Sequence, residues 1–403
     1  MFKLTQWMPR ALLSAVLMLP VLAQGRTETR CSPPDWPHWN QFVRHFVQDS
    51  GRVLDATTPR QHSTSESQSY GMFFALVAGD RPTFDKMWSW SINNLGAGDL
   101  TKRLPAWLWG KADDGTWRVI DPNSASDADL WFAYALLEAG RLWREPAYTQ
   151  AAQRLLTLVE GQEILYLPGF GLMLSPGRDG FAKPDQGTWV LNPSYMPVPV
   201  LRRLAQHAPA GPWNALANNT RTLLEQASPA GFAPDWTRYT SNTATPGFGP
   251  DPDKGNVGSY DAIRTYLWAG MTPREDPLFA PVLAALRGMT NATAQSSPPF
   301  PPEKVDTRTG TFSGTGPFGF SAALLPYFQA LGHTELAQKQ LERVQTAADE
   351  ALSAQTLQKN PPPYYDYMLT LFGLGWYEQR YRFMADGTLS LPWEATCRGR
   401  TQP

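Results

Sequence analysis

Three carboxylates in this sequence stand where helices should begin. Glu66 lies in Ser-Thr-Ser-Glu-Ser-Gln-Ser-Tyr-Gly (63–71), directly before the apolar run 72–77. Asp127 lies in Ser-Asp-Ala-Asp (126–129), and Asp261 in Ser-Tyr-Asp-Ala-Ile-Arg (259–264). Ser65 followed by Gln68 reads as a capping box, so a helix is expected to start there. An acid in a first turn can simply serve the helix dipole. Asp127 and Asp129 fit a cap-and-dipole role, and Asp261 and Arg264 fit an i,i+3 ion pair. Tyr364, Tyr365 and Tyr367 fit packing. Taken together, the same residues suit another chemistry. Two carboxyl groups across an aromatic-walled cleft can hydrolyse a glycosidic bond, one as acid, the other activating water or attacking. A helix N-terminus lowers a carboxyl pKa, which is wrong for the acid. Glu66 would need desolvation or a neighbouring carboxylate such as Asp127 to raise it.

The elements that must position these groups follow from apolar periodicity and breakers. Helices are expected at about 37–50, 66–79, 82–94, 126–139, 145–160, 194–208, 213–227, 259–269, 276–290, 318–331, 334–354 and 364–379. Connections after even-numbered helices are short, such as Gly79-Asp80-Arg81-Pro82. The long ones (51–65, 95–125, 161–193, 228–258, 291–317, and 355–363 as the shortest) each precede an even-numbered helix. Six helical hairpins with long loops on one side predict an all-α (α/α)6 barrel, with minor β-hairpins in the loops. The even helices, apolar nearly all round, form the inner ring. No tandem repeat is visible, which weakens a solenoid alternative. The stretches 241–258 and 293–317 read as structureless. Long loops inside a compact domain are usually functional, and these should wall a cleft over the inner-helix starts.

Composition narrows the partner. Of 403 residues, 42% are hydrophobic and only 18% charged, with a formal net charge of -1. That argues against nucleic acid or an anionic membrane surface. The 16 Trp residues suit the apolar faces of a neutral sugar polymer, although core packing claims many of them. The five histidines are scattered and the two cysteines lie at the chain ends, so no metal site and no cofactor is expected. Lys3, Arg10, the apolar residues 11–22 and Val21-Leu22-Ala23 read as a cleaved signal peptide, residues 1–23. This leaves 24–403 as one exported, monomeric domain without stable membrane insertion. In an oxidising compartment Cys31 and Cys397 could pair and tie the chain ends together; the alternative is two unpaired thiols in the chain tails.

Ser-Glu-Ser-Gln-Ser-Tyr-Gly-Met (65–72), Ala-Ser-Asp-Ala-Asp-Leu-Trp (125–131) and Ser-Tyr-Asp-Ala-Ile-Arg (259–264) resemble the signature segments of glycoside hydrolase family eight. Arg103-Leu-Pro-Ala-Trp-Leu-Trp-Gly and Leu136-Leu-Glu-Ala-Gly-Arg-Leu-Trp resemble its branch of periplasmic endoglucanases encoded with bacterial cellulose synthase. The likeness runs over nearly the whole mature chain. It implies an (α/α)6 barrel that cuts β-1,4-glucan internally with inversion, with the cellulose synthase export complex as a possible partner. Glu66 matches the general acid and Asp261 the base. Asp127 matches a third carboxylate, which holds the distorted sugar. Trp107, Trp109, Tyr195, Tyr260, Arg264 and Tyr364 are candidate sugar contacts. Two alternatives remain open. One keeps the fold and changes the polymer to xylan, chitosan or mixed-linkage glucan. The other is a glucan-binding export accessory with little turnover, which would need the aromatics but not three acids.

Overall fold

The computed structural model describes residues 1–2 and 35–394. The signal-peptide expectation for residues 1–23 falls almost wholly outside them, as do Cys31 and Cys397. Fourteen helices are present among the described residues: α1 (Pro37–Phe46), α2 (Ser65–Ala78), α3 (Arg81–Asn94), α4 (Ser126–Trp143), α5 (Pro146–Gln162), α6 (Val198–His207), α7 (Trp213–Ala227), α8 (Ile263–Met271), α9 (Phe279–Ala285), α10 (Gly288–Gln295), α11 (Phe318–Leu331), α12 (Thr334–Ala351), α13 (Ala354–Leu357) and α14 (Tyr364–Tyr377). No described helix is long and apolar enough to cross a membrane.

Helices α2, α4, α6, α8, α11 and α14 form an inner ring, each packed on the next. Phe372 of α14 closes it, lying 5.8 Å from Phe73 and 4.6 Å from Phe74 of α2. Outside it, α3, α5, α7, α9 and α12 each pack on the inner helix preceding them, and α1 packs on α14. This is the expected (α/α)6 barrel, with its last pair made from the first and last long helices. Short links work because the chain can reverse at once. Gly79 takes φ 66°, and its N–H satisfies Ala75 O and Leu76 O at the end of α2, a left-handed helix cap. Inner helices touch closely where side chains are absent. A Cβ on Gly373 would lie 2.0 Å from Ala322 O, and one on Gly270 2.3 Å from Tyr327 N.

The inner ring encloses an aromatic core of Phe73, Trp131, Tyr134, Trp268 and Phe372, all buried. A hairpin of two strands near the C-terminus, Arg382–Phe383 and Leu389–Ser390, plugs the bottom of the barrel. Its Phe383 stacks 6.2 Å from Phe73, and Tyr134 donates to Gly387 O at 2.9 Å. Removing one such ring, as in Phe73→Ala, costs about 3–5 kcal/mol. The filled barrel gives the mouth a floor.

Several boundaries differ from expectation, each for a local reason. The cap of α2 is Thr64 paired with Ser67, one residue before the expected box. Gln68 is instead spent inside the fold, accepting Val53 N–H at 2.6 Å and donating to Gly51 O and Met87 O at 3.2 Å. The helix expected over 194–208 begins at Val198, after a tight turn at Pro193–Tyr195, because Pro197 disfavours helical backbone at Met196. The helix expected over 276–290 is α9 and α10, broken where the Gly288 N–H turns to Gly231 O at 2.9 Å. The stretches 241–258 and 293–317 are not structureless. Gly247–Pro250 is the edge of a four-stranded antiparallel sheet, and Val257–Gly258 pairs with Lys304–Asp306. The first is a hairpin with Thr237–Thr240 across a Gly/Pro-rich stretch, and the second joins residues about fifty positions apart, so composition alone does not mark either.

Candidate active site

Glu66 enters the barrel mouth on the first turn of α2. Its helix is anchored by the Thr64 cap and by Ser65 N–H, which donates to Trp107 O at 3.0 Å. Asp261 enters on the turn before α8. Asp235 accepts the backbone N–H groups of Ser259 and Ala262, both at 2.8 Å. Those bonds hold the turn 259–262 that leads into α8. Tyr364 and Tyr365 come from the first turn of α14.

These groups meet in a cavity of about 270 Å³ lined by Glu66, Tyr70, Tyr260, Asp261, Arg264 and Tyr364, with Asp55 and Tyr365 among the remaining walls. Arg264 is its hub. The guanidinium is buried, with Nη2 donating to Asp261 Oδ1 at 2.8 Å and Ser194 Oγ at 3.2 Å. Its Nη1 reaches Asp127 Oδ2 at 3.3 Å and Tyr70 Oη at 3.4 Å. Asp127 lies behind this surface, 1% exposed. It also accepts Ala128 N–H at 2.8 Å and the Tyr70 hydroxyl at 3.4 Å. So α2, α4 and α8, remote in sequence, deliver three carboxyls around one arginine.

The electrostatics run in the direction that an acid role for Glu66 would need. Burial raises the Glu66 carboxyl above the ordinary glutamate value, and the Asp261 charge adds to this. Its own backbone N–H, Arg264 and the Ser65 hydroxyl pull the other way. Burial, then the Glu66 charge, push Asp127 up to about 8, against Arg264 and the Ala128 N–H. Three carboxyls facing a single guanidinium retain a proton near neutrality. The Asp235 carboxyl rises to about 6, chiefly through burial and against the Ala262 N–H.

Not every expected sugar contact faces the cavity. Tyr260 does, 47% exposed, with its carbonyl held by the Tyr365 hydroxyl. Tyr195 sits beside it, its ring 5.6 Å from the Arg264 guanidinium carbon. Trp107 is half-buried on the segment flanking α2 and does not line the cavity. Trp109 is packed away from it, stacked on Trp117 at 5.3 Å, edge-on to Trp90 at 5.4 Å, and 4.5 Å from the Arg52 guanidinium. Asp235 gives no local sequence signal because it lies more than twenty residues before the turn it caps, in a loop without periodicity. Tyr365 was hidden in a tyrosine run whose helical phase only packing decides.

No group of three or more His, Cys, Asp or Glu side chains among the described residues could hold a metal ion. The polar groups that line the cavity include carboxyls, one arginine and tyrosines.

The profile of glycosyl hydrolases family 8 matches residues 9–379. An endoglucanase of Xanthomonas axonopodis pv. citri (strain 306) is 50% identical over 376 residues, covering 93% of each chain. An endoglucanase of Escherichia coli (strain K12) is 42% identical over 387 residues, covering 95% of this chain and 98% of that one. The crystal structure of endo-1,4-D-glucanase from Vibrio fischeri ES114 superposes with a TM-score of 0.81 at 37% identity, covering 89% of this chain and 99% of that one. The match spans the whole barrel, including every segment that brings a carboxyl to the mouth, and the chain belongs to glycosyl hydrolases family 8.

Proposed function

We propose that this glycoside hydrolase is an endo-1,4-β-glucanase that cuts cellulose or nascent β-1,4-glucan with inversion at the anomeric carbon. The observation that carries the reading is the pairing, in one cavity, of Glu66, whose carboxyl burial raises above the ordinary glutamate value, with Asp261, ion-paired to Arg264 at 2.8 Å. Glu66 donates its proton to the glycosidic oxygen as that bond breaks. Asp261 takes a proton from the water that attacks the anomeric carbon from the opposite face. Asp127, buried behind Arg264 and Tyr70, anchors the arginine and orients the sugar at the cleavage point rather than attacking it. Tyr260 and Tyr364 supply ring faces to neighbouring sugars.

The apolar N-terminal stretch ending at Val21-Leu22-Ala23 supports export to the periplasm. There the polymer would be met as it leaves a cellulose synthase export complex. The resemblance of 103–110 and 136–143 to the cellulose-synthase-linked branch supports that setting.

Proton NMR of cellohexaose during digestion tests the chemistry. Initial α-anomer supports Glu66 as acid with Asp261 activating water. Initial β-anomer would make Asp127 or Asp261 a nucleophile. Binding without hydrolysis would favour a glucan-binding accessory.

A further inference from the structure

Two buried carboxyls behind the cavity floor take no part in the steps above. Asp129 lies in the first turn of α4, two residues beyond Asp127, and Glu163 directly follows α5. Both are 0% exposed. Glu163 Oε1 accepts the Ser124 hydroxyl at 2.6 Å. The other three carboxyl oxygens, both of Asp129 and Oε2 of Glu163, receive no hydrogen bond from an N–H or O–H of the described protein. Two ionised carboxylates so placed would be among the costliest groups to bury. The two side chains lie within hydrogen-bonding reach of one another. One proton between them resolves the problem, the acid O–H donating to the facing carboxylate in a charge-assisted bond. The charged groups around the pair agree. Burial, then the Glu163 charge, hold Asp129 well above the ordinary aspartate value, and Asp127 and Glu66 push the same way. Burial raises Glu163 to about 7, against Ser124, Asp129 and Arg178.

The pair is tied to the segment that carries the site. Ser124 Oγ, which donates to Glu163, also accepts Arg178 N–H at 3.0 Å. Next to it, Asn123 O accepts Trp107 N–H at 2.7 Å, and Trp107 O accepts Ser65 N–H at 3.0 Å. On the other side, Ser126 N–H donates to Pro176 O at 3.0 Å. One turn thus leads forward to Asp127 and, through Trp107, to the residue before Glu66.

We propose that Asp129 and Glu163 share one proton, and that this buried bond fixes the turn 123–127 and so positions Asp127 and the backbone at Glu66. Both are positioning residues, and their effect on turnover rests on the roles given above to Asp127 and Glu66. The amide of Asp129→Asn carries a permanent donor for Glu163, whereas Asp129→Ala leaves Glu163 without one.

Steady-state hydrolysis of cellohexaose against pH, together with infrared spectra in the Glu66→Gln background, tests the proposal. Asp129→Ala is expected to lower kcat by about 10²-fold through misplacement, with KM little changed. Asp129→Asn is expected to recover most of that loss, since its amide keeps a donor for Glu163. The infrared band of a protonated carboxyl should weaken when Asp129→Asn is added to Glu66→Gln. Equal damage from Asp129→Asn and Asp129→Ala, or an unchanged acid band, would overturn the shared proton. A normal kcat in Asp129→Ala, with only thermal stability reduced, would overturn the positioning role. If Asp129→Ala fails to fold, Asp129→Asn and the acid band still decide. Failure of the wild type to cut cellohexaose would count against the glucanase reading and leave the infrared result for the pair standing.

Discussion

Arg264 donates to Asp261 at 2.8 Å across one turn of chain, and the same guanidinium reaches Asp127 at 3.3 Å with its other terminal nitrogen. The i,i+3 pair legible in the sequence is therefore half of a three-way junction. Arg264→Lys should lower kcat by about 10²-fold, because one ammonium cannot span both carboxylates. Arg264→Met leaves Asp127 buried without its cation and should cost about 3–5 kcal/mol of stability. Steady-state kinetics and urea unfolding of the two variants separate these effects.

Glu66→Gln should lower turnover on cellohexaose by about 10²–10⁴-fold, the usual worth of a general acid. Binding, measured by calorimetry, should persist. An aryl cellobioside with an acidic phenol as leaving group needs little protonation, so the variant should retain far more activity on it. Equal losses on both substrates would exclude Glu66 as the acid.

The wild-type pH profile should fall on its alkaline side. Burial raises the Glu66 carboxyl above its ordinary value, so the proton required for leaving-group departure is lost as pH rises through that raised pKa, and the neighbouring Asp127 carboxyl rises to about 8. Stability should follow the same sign. A carboxyl whose folded pKa exceeds its unfolded value binds more protons when folded, so its contribution is complete below about 4 and is lost as pH rises towards about 8. Asp127→Asn should flatten the fall of Tm with pH over that window while lowering kcat. No covalent glycosyl intermediate should be trapped on the wild-type enzyme at Asp127.

Asp235 makes a smaller version of the same prediction. Its carboxyl rises to about 6, mainly by burial, so its contribution to stability fades between about pH 4 and 6. Asp235→Asn keeps an acceptor for Ser259 and Ala262 and should remove that slope. Asp235→Ala loses the cap, costing about 1 kcal/mol, and should lower kcat because the turn bearing Asp261 is released. Differential scanning calorimetry across pH checks both.

Two aromatic positions should separate binding from folding. Tyr260 projects into the cavity and is 47% exposed. Tyr260→Ala should raise KM for cellohexaose by about tenfold, the value of roughly one stacked ring, with little change in Tm. Trp109 packs on Trp90, Trp117 and Arg52. Trp109→Ala should lower Tm and leave KM almost unaltered.

The sequence by itself determined the ring of helices and put three carboxylates near the starts of inner helices. Alternating short and long connections mark which helix ends share a rim, and helices apolar on every side, such as Met72 to Val77, can only be interior. Both signals are local, carried by neighbours within a few turns. Which tryptophan faces a sugar is not local. Trp107 and Trp109 both read as sugar contacts in the chain, yet neither lines the cavity, and the pairing of Trp109 with Ser63 across the sheet, with the stack beneath it, packs its ring on Trp117. The acidity of Glu66 was likewise only a requirement until the barrel closed. A helix N-terminus lowers a carboxyl pKa, and it is burial among α2, α8 and α14 that reverses the sign. Asp235 beneath Ala262, and Asp129 against Glu163, are meetings of residues dozens of positions apart. They depend on desolvation and on distances that exist only after the helices have packed, so only the tertiary structure decided them.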